Sequence, residues 1–255
     1  MKLISKKMAF AALGALFLLQ INLDVAKADI TCNFQSQFEE LVDVKNNAKL
    51  DDLQRIRVEL KIRKDILNNI LACAIQDVLS TKAKLVEIRP SDEENKIIQN
   101  QFLNQLNVIV NYYQNQKFKI EDLGIQGSED LARDIKEWRA NTYLPLANEA
   151  TNFLIWIKNR DLIKTTEQRL GQVNQTIKNL KVSGNENIQS LLEKSRLNIE
   201  TAKVGSLEAK KIFQDFPPSP KSSSLAFIKI SLESLAKAYQ NFFDIMDVIK
   251  KMLSP

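Results

Sequence analysis

The fold of this chain is decided by its C-terminal stretch, residues 225–253, which reads LAFIKISLESLAKAYQNFFDIMDVIKKML. Apolar side chains recur along it at alternating steps of three and four residues, which keeps one apolar seam along an α-helix and excludes a strand. The predicted seam comprises Leu225, Ile228, Leu232, Leu235, Tyr239, Phe242, Met246, Ile249 and Leu253. Other apolar residues flank this seam, and a two-stranded coiled coil would not require them. We therefore predict a helix packed among several neighbours inside a bundle.

The remainder of the chain has the same helical character. The whole chain contains only six glycines and six prolines in 255 residues, so long helices and few loops are expected. An apolar stripe from Leu53 through Ile56 to Leu85 predicts the inner face of one helix over residues 51–88. Similar stripes predict helices over residues 33–44, 91–118, 128–180 and 186–216. We predict an all-α fold, an elongated up-and-down bundle of about five or six helices with coiled-coil-like packing.

Capping residues and helix breakers place the ends of these helices. Ser91 opens a capping-box pattern, and Ser128 is expected to cap the next helix after a loop at residues 122–127. Pro145 should kink or split that helix, because a proline inside a helix removes one hydrogen bond and clashes with the preceding turn. Two further breaks are expected, a turn at residues 183–185 and a linker near residues 217–224.

The N-terminus is typical of a secretory signal. Lys2, Lys6 and Lys7 precede an apolar run over residues 8–19, and small residues at 26 and 28 fit a cleavage site before Asp29. The run is shorter than the ~20 apolar residues of an ordinary membrane-spanning helix. We predict a signal peptide at residues 1–28 and a single helical domain at residues 29–255. An uncleaved membrane anchor is the alternative.

The net charge gives no support for nucleic-acid binding. The whole chain has 36 basic and 31 acidic residues, a net of +5. Removal of residues 1–28 would take away four lysines and one aspartate, leaving 32 basic and 30 acidic residues, a net of +2. Such a small excess does not indicate a nucleic-acid partner.

Cys32 and Cys73 are the only cysteines. In an exported chain, a pair of cysteines is most simply a disulfide. The two residues are 41 positions apart, so in one unbroken helix they would be ~60 Å apart and could not bond. A disulfide therefore requires the first helix to fold back near residues 46–52. Two unrelated thiols are the alternative.

Catalytic and cofactor motifs are missing from the sequence. The chain has no histidine, the commonest general base and metal ligand. It also contains neither a glycine-rich phosphate loop nor a nucleophile-elbow pattern. We predict a protein that is not an enzyme and that uses no metal and no cofactor.

Two segments are candidate contact surfaces. The first is the densest basic patch, which comprises Arg55, Arg57, Lys61, Arg63 and Lys64. On a helix, Arg57, Lys61 and Lys64 would lie on one strip. It could contact an anionic surface, or be a solvated helix flank. The second is the most apolar run of the mature chain, comprising Phe153, Leu154, Ile155, Trp156 and Ile157. It could form an apolar interface, or belong to a central helix that is buried on all sides.

These observations favour an exported, non-enzymatic helical scaffold or interaction protein of the bacterial cell envelope, located in the periplasm or outside the cell. Its partner would be a protein or an envelope component, and contact with a membrane surface is also considered. The alternatives are a membrane-active helical protein and a periplasmic chaperone-like binder. The sequence does not define the partner or the oligomeric state.

Overall fold

The fold is an all-α helical bundle, as predicted. The computed structural model describes Cys32 and residues 34–46, 50–90, 92–215 and 224–253, and every regular element in these ranges is helical. The predicted signal peptide lies outside the described residues, as does most of the predicted linker. The α-helices are α1 (Gln35–Asn46), α2 (Asp52–Glu87), α3 (Glu93–Lys119), α4 (Ile125–Trp138), α5 (Leu144–Asn179), α6 (Glu186–Gln214) and α7 (Ser224–Leu253). Because α4 and α5 join without a break, the seven α-helices of the described residues form six helical rods.

Side-chain caps begin several helices. The carboxylate of Asp92 caps α3, since it accepts a 2.9 Å hydrogen bond from the Asn95 N–H. Ser91, where the capping-box pattern was predicted to open, lies outside the described residues. The predicted Ser128 cap is wrong. α4 begins at Ile125 after Gly124, so Ser128 lies inside the first turn and its hydroxyl donates to the Ile125 carbonyl at 2.6 Å. A serine in the first turn therefore resembled a cap in the sequence.

The first helix folds back on the second, as the predicted disulfide requires. Cys32 and Cys73 are bonded, with their Cα atoms 6.2 Å apart. At the other end of α1, the Lys45 ammonium lies 3.5 Å from the Glu59 carboxylate. Since residue 32 lies beside residue 73 and residue 45 beside residue 59, α1 runs antiparallel to α2. α1 has no buried residue, so its attachment to α2 depends on the disulfide and on partly covered contacts.

α4 and α5 are joined by a turn of π-helix at Arg139–Tyr143. Its defining bond runs from the Leu144 N–H to the Arg139 carbonyl, five residues back. Pro145 follows at the start of α5 and has no N–H for the preceding turn. The interruption predicted at Pro145 is thus a π turn just before it, and one rod continues over residues 125–179, about 80 Å at 1.5 Å per residue.

The long rod passes through both halves of the bundle. In one half it packs with α2 and α3 around a core that includes Phe102, Tyr113 and Phe153. In the other half it packs with α6 and α7 around Ile177 and Phe242. The ends of α6 and α7 also reach the first core. The domain is therefore held together along its length by α5.

The helix α7 is buried along a seam different from the predicted one. Its most buried line is Ser224, Ile228, Ser231, Leu235, Ala238, Phe242, Ile245 and Ile249. Four members of the predicted seam, at positions 228, 235, 242 and 249, belong to it. The remaining predicted members are only half-buried or, like Met246 and Leu253, exposed. Serine and alanine occupy the contact instead, because the opposing helix comes too close for larger side chains.

That close approach comes from small residues on α6. Its matching buried line is Ile188, Leu192, Ser195, Ile199, Ala202, Ser206, Ala209 and Phe213, again at steps of four and three. Gly205 lies next to this line, and a Cβ atom placed on it would be only 2.8 Å from the Phe227 carbonyl oxygen of α7. The two helices thus pack almost backbone to backbone, with a small residue at every seventh position.

Buried polar side chains connect α5 to this pair of helices. The Asn159 amide donates to the Ser231 hydroxyl at 2.8 Å, and that hydroxyl donates to the Ala202 carbonyl at 2.7 Å. One turn earlier, the Trp156 indole N–H donates to the Ser206 carbonyl at 2.8 Å. Because these bonds are buried and directional, they set the register of α5 against α6 and α7.

Candidate functional site

A cleft lies between α2 and the α4–α5 rod. Its volume is about 580 Å³. α2 and α4 run in the same direction here, since Arg63 of α2 pairs with Glu129 at 2.8 Å and Asp77 of α2 pairs with Arg139, just after α4, at 2.7 Å. The cleft starts at the Cys32–Cys73 disulfide and follows α2 as far as Lys84. Volumes of roughly 300–1,000 Å³ are typical of ligand pockets.

The cleft has an apolar floor with a few polar groups. Apolar side chains near the disulfide come from α2, α4 and the residues before α1, and include Phe34, Ile70 and Ile135. Leu144 and Leu154 line the part formed by α5. Hydroxyl and amide groups, among them those of Ser80, Thr81, Asn148 and Thr151, complete the wall. A mixed lining of this kind suits a partner that buries apolar groups and also makes a few oriented hydrogen bonds.

An ion pair crosses the middle of the cleft. The Arg139 guanidinium contacts the Asp77 carboxylate and also lies over the Tyr143 ring, 4.9 Å from its centroid. Burial alone would lower the pKa of Arg139, but Asp77 and the neighbouring Tyr113 hydroxyl outweigh it and raise that pKa. Arg139 is therefore a permanent cation in this wall, and the π turn places it there together with Tyr143.

Tyr143 is the most strongly perturbed titratable group of the cleft. Its side chain is 1% exposed, and its hydroxyl lies 3.4 Å from that of Thr81. Burial raises the pKa of Tyr143 to about 12, and nearby Asp77 acts in the same direction. The phenol is consequently neutral at physiological pH. It can donate or accept a hydrogen bond, but it is a poor general acid or base.

The structure divides the five residues of the predicted basic patch into two groups. Arg55 is paired with Asp52 and Arg63 with both Glu59 and Glu129, so these two cations serve the fold. The other three, Arg57, Lys61 and Lys64, line one shallow groove of about 290 Å³. They are the three residues that the helical spacing predicted on one strip.

The apolar run at residues 153–157 belongs to the core. Phe153 and Trp156 are fully buried, and Leu154, Ile155 and Ile157 are half-buried against the same cluster. The placement of Phe153 and Trp156 corresponds to the alternative of a central buried helix, because α2, α3, α6 and α7 all approach α5 here. Leu154 also lines the cleft.

The sequence patterns did not point to the cleft. Its central residues Asp77 and Arg139 are 62 positions apart, and each looks like an ordinary charge on a helix surface. The one local signal was Pro145, which predicted an irregularity without indicating what it would position. The disulfide was the other, indirect signal, because it lies at the N-terminal end of α1, where the cleft begins.

Two further properties of the described residues are relevant. No group of three or more histidine, cysteine, aspartate or glutamate side chains within them could hold a metal ion. None of the helices they form combines the length and apolar character of a membrane span.

Fold and cleft together define an all-α bundle with a disulfide-attached helical arm and a groove beside it. Comparisons with protein-family models, with curated proteins and with solved structures find no match to this chain.

Proposed function

We propose that this chain is an exported, non-enzymatic interaction protein of the bacterial cell envelope, and that the cleft between α2 and the α4–α5 rod receives a short helical segment of a protein partner. The observation that carries the proposal is the position of the cleft. α1 occupies the surface of α2 between residues 59 and 73, and the cleft continues in line with α1 from Cys73 to Lys84. A helix of this chain, α1, thus already packs on one stretch of α2, and the cleft offers the next stretch of α2 to a helix of a partner.

The lining of the cleft supports a helical occupant. Helix-in-groove recognition uses apolar anchors spaced at three and four residues, with polar contacts at the rim. The cleft offers apolar contacts from Ile70, Leu144 and Leu154, and oriented polar groups at Asp77 and Arg139. The rigid rods on either side would limit the ordering cost of binding.

Two features support export. The disulfide is of the kind that persists in oxidising compartments such as the periplasm. The sequence of residues 1–28 has the pattern of a cleaved signal. N-terminal sequencing of the protein from its native host tests this part, and we expect the chain to begin at Asp29.

Site-specific photo-crosslinking in the native host tests the cleft. A photoreactive residue at Asn148, an exposed amide in the cleft wall, should give a defined adduct with one protein. The same residue at Asn111, an exposed amide of α3 outside the cleft, is the matched control. Adducts of equal yield and pattern at both positions, or none at Asn148, would show that the cleft is not the binding surface.

The alternatives are less well supported. A membrane-active protein in which residues 153–157 enter the bilayer is less well supported, because Phe153 and Trp156 are enclosed in the core. A chaperone-like binder would need a broad apolar surface between its helices. The cleft carries an ion pair at its centre, so it suits one partner better than many unfolded clients.

A further inference from the structure

The first four turns of α2 carry a second, separate surface. Arg57, Lys61 and Lys64 line the shallow groove there together with Leu60. Within the described residues, Arg57 and Lys61 have no ion-pair partner. The Lys64 ammonium donates to the backbone carbonyl of Glu121 at 2.5 Å, which orients it without neutralising its charge.

The acidic residues of these turns do not cancel that charge. Asp52 is paired with Arg55, and Glu59 is shared by Arg63 and Lys45. Asp51 accepts the Gln54 N–H as the helix cap. At the groove itself, the carboxylates of Asp65 and Glu121 lie beside the three cations and leave a net positive charge.

Two large apolar residues lie exposed beside these cations. Leu53 is 68% and Ile56 48% exposed, although the helical stripe predicted that both would face the core. The prediction fails because the start of α2 extends past the helices that would cover it. Leu53, Arg57, Leu60 and Lys64 follow one another at steps of four, three and four residues, so the apolar and basic residues share one strip.

We infer that this strip docks the tip of α2 on the surface of an anionic lipid bilayer. A bilayer interface accepts apolar side chains at the acyl boundary and cations at the headgroups, and interfacial helices combine both kinds of residue. A soluble anion would engage the cations alone and would leave Leu53 and Ile56 in water. The inference goes beyond the cleft and its partner, and does not depend on them.

The expected size of the effect follows from the charges. Each basic residue near an anionic membrane surface contributes ~1 kcal/mol, which corresponds to roughly fivefold in affinity. Replacing Arg57 and Lys61 by glutamine should therefore weaken binding roughly 30-fold. Leu53→Ser with Ile56→Ser should remove the part of the binding that persists at high salt, because apolar insertion is not screened.

Co-sedimentation with lipid vesicles tests the inference. The purified chain is mixed with neutral phosphatidylcholine vesicles and with vesicles that also contain phosphatidylglycerol, at low and at high salt. The control variant, Lys164→Gln with Lys178→Gln, removes two exposed charges from α5, far from the tip of α2. All variants share the same N-terminus, so any binding by residues 1–28 is common to them.

We expect binding to anionic vesicles that the Arg57/Lys61 variant loses and the control variant keeps within twofold. Equal binding to neutral and anionic vesicles would overturn the inference. So would an equal loss in the control variant, or no sedimentation of the wild-type chain with anionic vesicles. Circular dichroism of each variant checks that the helices are intact, which is expected because the replaced side chains are on the surface.

Discussion

One added methyl group at Gly205 should destabilise the bundle, because backbone atoms of α7 occupy the space it needs. A Cβ atom at this position would lie 2.8 Å from the Phe227 carbonyl oxygen, 3.2 Å from the Ser231 backbone nitrogen and 3.4 Å from the Ser231 Cβ. The first two are backbone atoms and cannot rotate away as a side chain can. Gly205→Ala therefore requires α6 and α7 to separate.

The magnitude comes from two opposing effects. Alanine in a helix interior is favoured over glycine by about 1 kcal/mol. Overpacking a tight contact costs about 1–3 kcal/mol, and separation of the helices would also weaken the hydrogen bonds among Asn159, Ser231 and Ala202, at about 1 kcal/mol each. If both bonds are lost, we expect a net loss of about 2–4 kcal/mol in the free energy of unfolding. For a chain of this size, that lowers Tm by roughly 4–16 °C.

Gly171→Ala is the matched control. Gly171 also lies inside a helix, but apart from its chain neighbours and the backbone of its own helix, no atom lies within 4 Å of the position a Cβ would take. This variant should gain about 1 kcal/mol, since only the helix preference changes. Urea unfolding followed by circular dichroism measures both values. If Gly205→Ala were as stable as Gly171→Ala, the close approach of α6 and α7 would be refuted.

Three further predictions concern single features of the fold. Ser231→Ala leaves the buried Asn159 amide without its acceptor, so urea unfolding should show a loss of about 1–3 kcal/mol, and no loss would mean that water replaces the hydroxyl. Cys32→Ser with Cys73→Ser should free α1, which has no buried residue, and weaken its attachment by about 2–4 kcal/mol; hydrogen exchange should then accelerate in residues 35–46 alone, whereas acceleration throughout the bundle would contradict a local role. Burial raises the pKa of Tyr143 from 10.0 to about 12, so its stabilising contribution is complete below pH 10 and is lost as the pH rises towards 12. Over that interval the wild type should lose on the order of 2 kcal/mol more than Tyr143→Phe, and parallel stability curves for the two proteins would refute the assigned burial.

Local patterns predicted most of the secondary structure correctly. The long predicted helix at residues 51–88 is α2 at Asp52–Glu87, and the turn at residues 183–185 separates α5 from α6. The error at the start of α4 was small. Ser128 was predicted to cap this helix, which begins three residues earlier at Ile125, because a serine hydroxyl in the first turn also bonds to the backbone, here to the Ile125 carbonyl.

The packing of these helices could not be predicted in the same way. The predicted α7 seam used its largest apolar residues, but the buried line includes Ser224, Ser231 and Ala238. A large side chain gains more by burial than a small one, so a pattern based on hydrophobicity selects the large ones. In the structure the small residues are buried instead, because α6 also has small residues at the contact and the two helices approach closely. These α6 residues lie roughly thirty positions earlier in the chain, so the pattern of α7 alone does not reveal them.

The sequence by itself determined that this protein is helical, where its helices end, and that α1 must fold back on α2 if Cys32 and Cys73 are bonded. Helix period, caps and chain breakers act over a few residues and can be read locally. Only the tertiary structure decided that Asp77, Arg139 and Tyr143 line one cleft, that Phe153 and Trp156 are enclosed, and that Leu53 and Ile56 are exposed. The physical reason is that burial and ion pairing depend on which rods lie side by side and where each one ends, and no local pattern in the sequence specifies that.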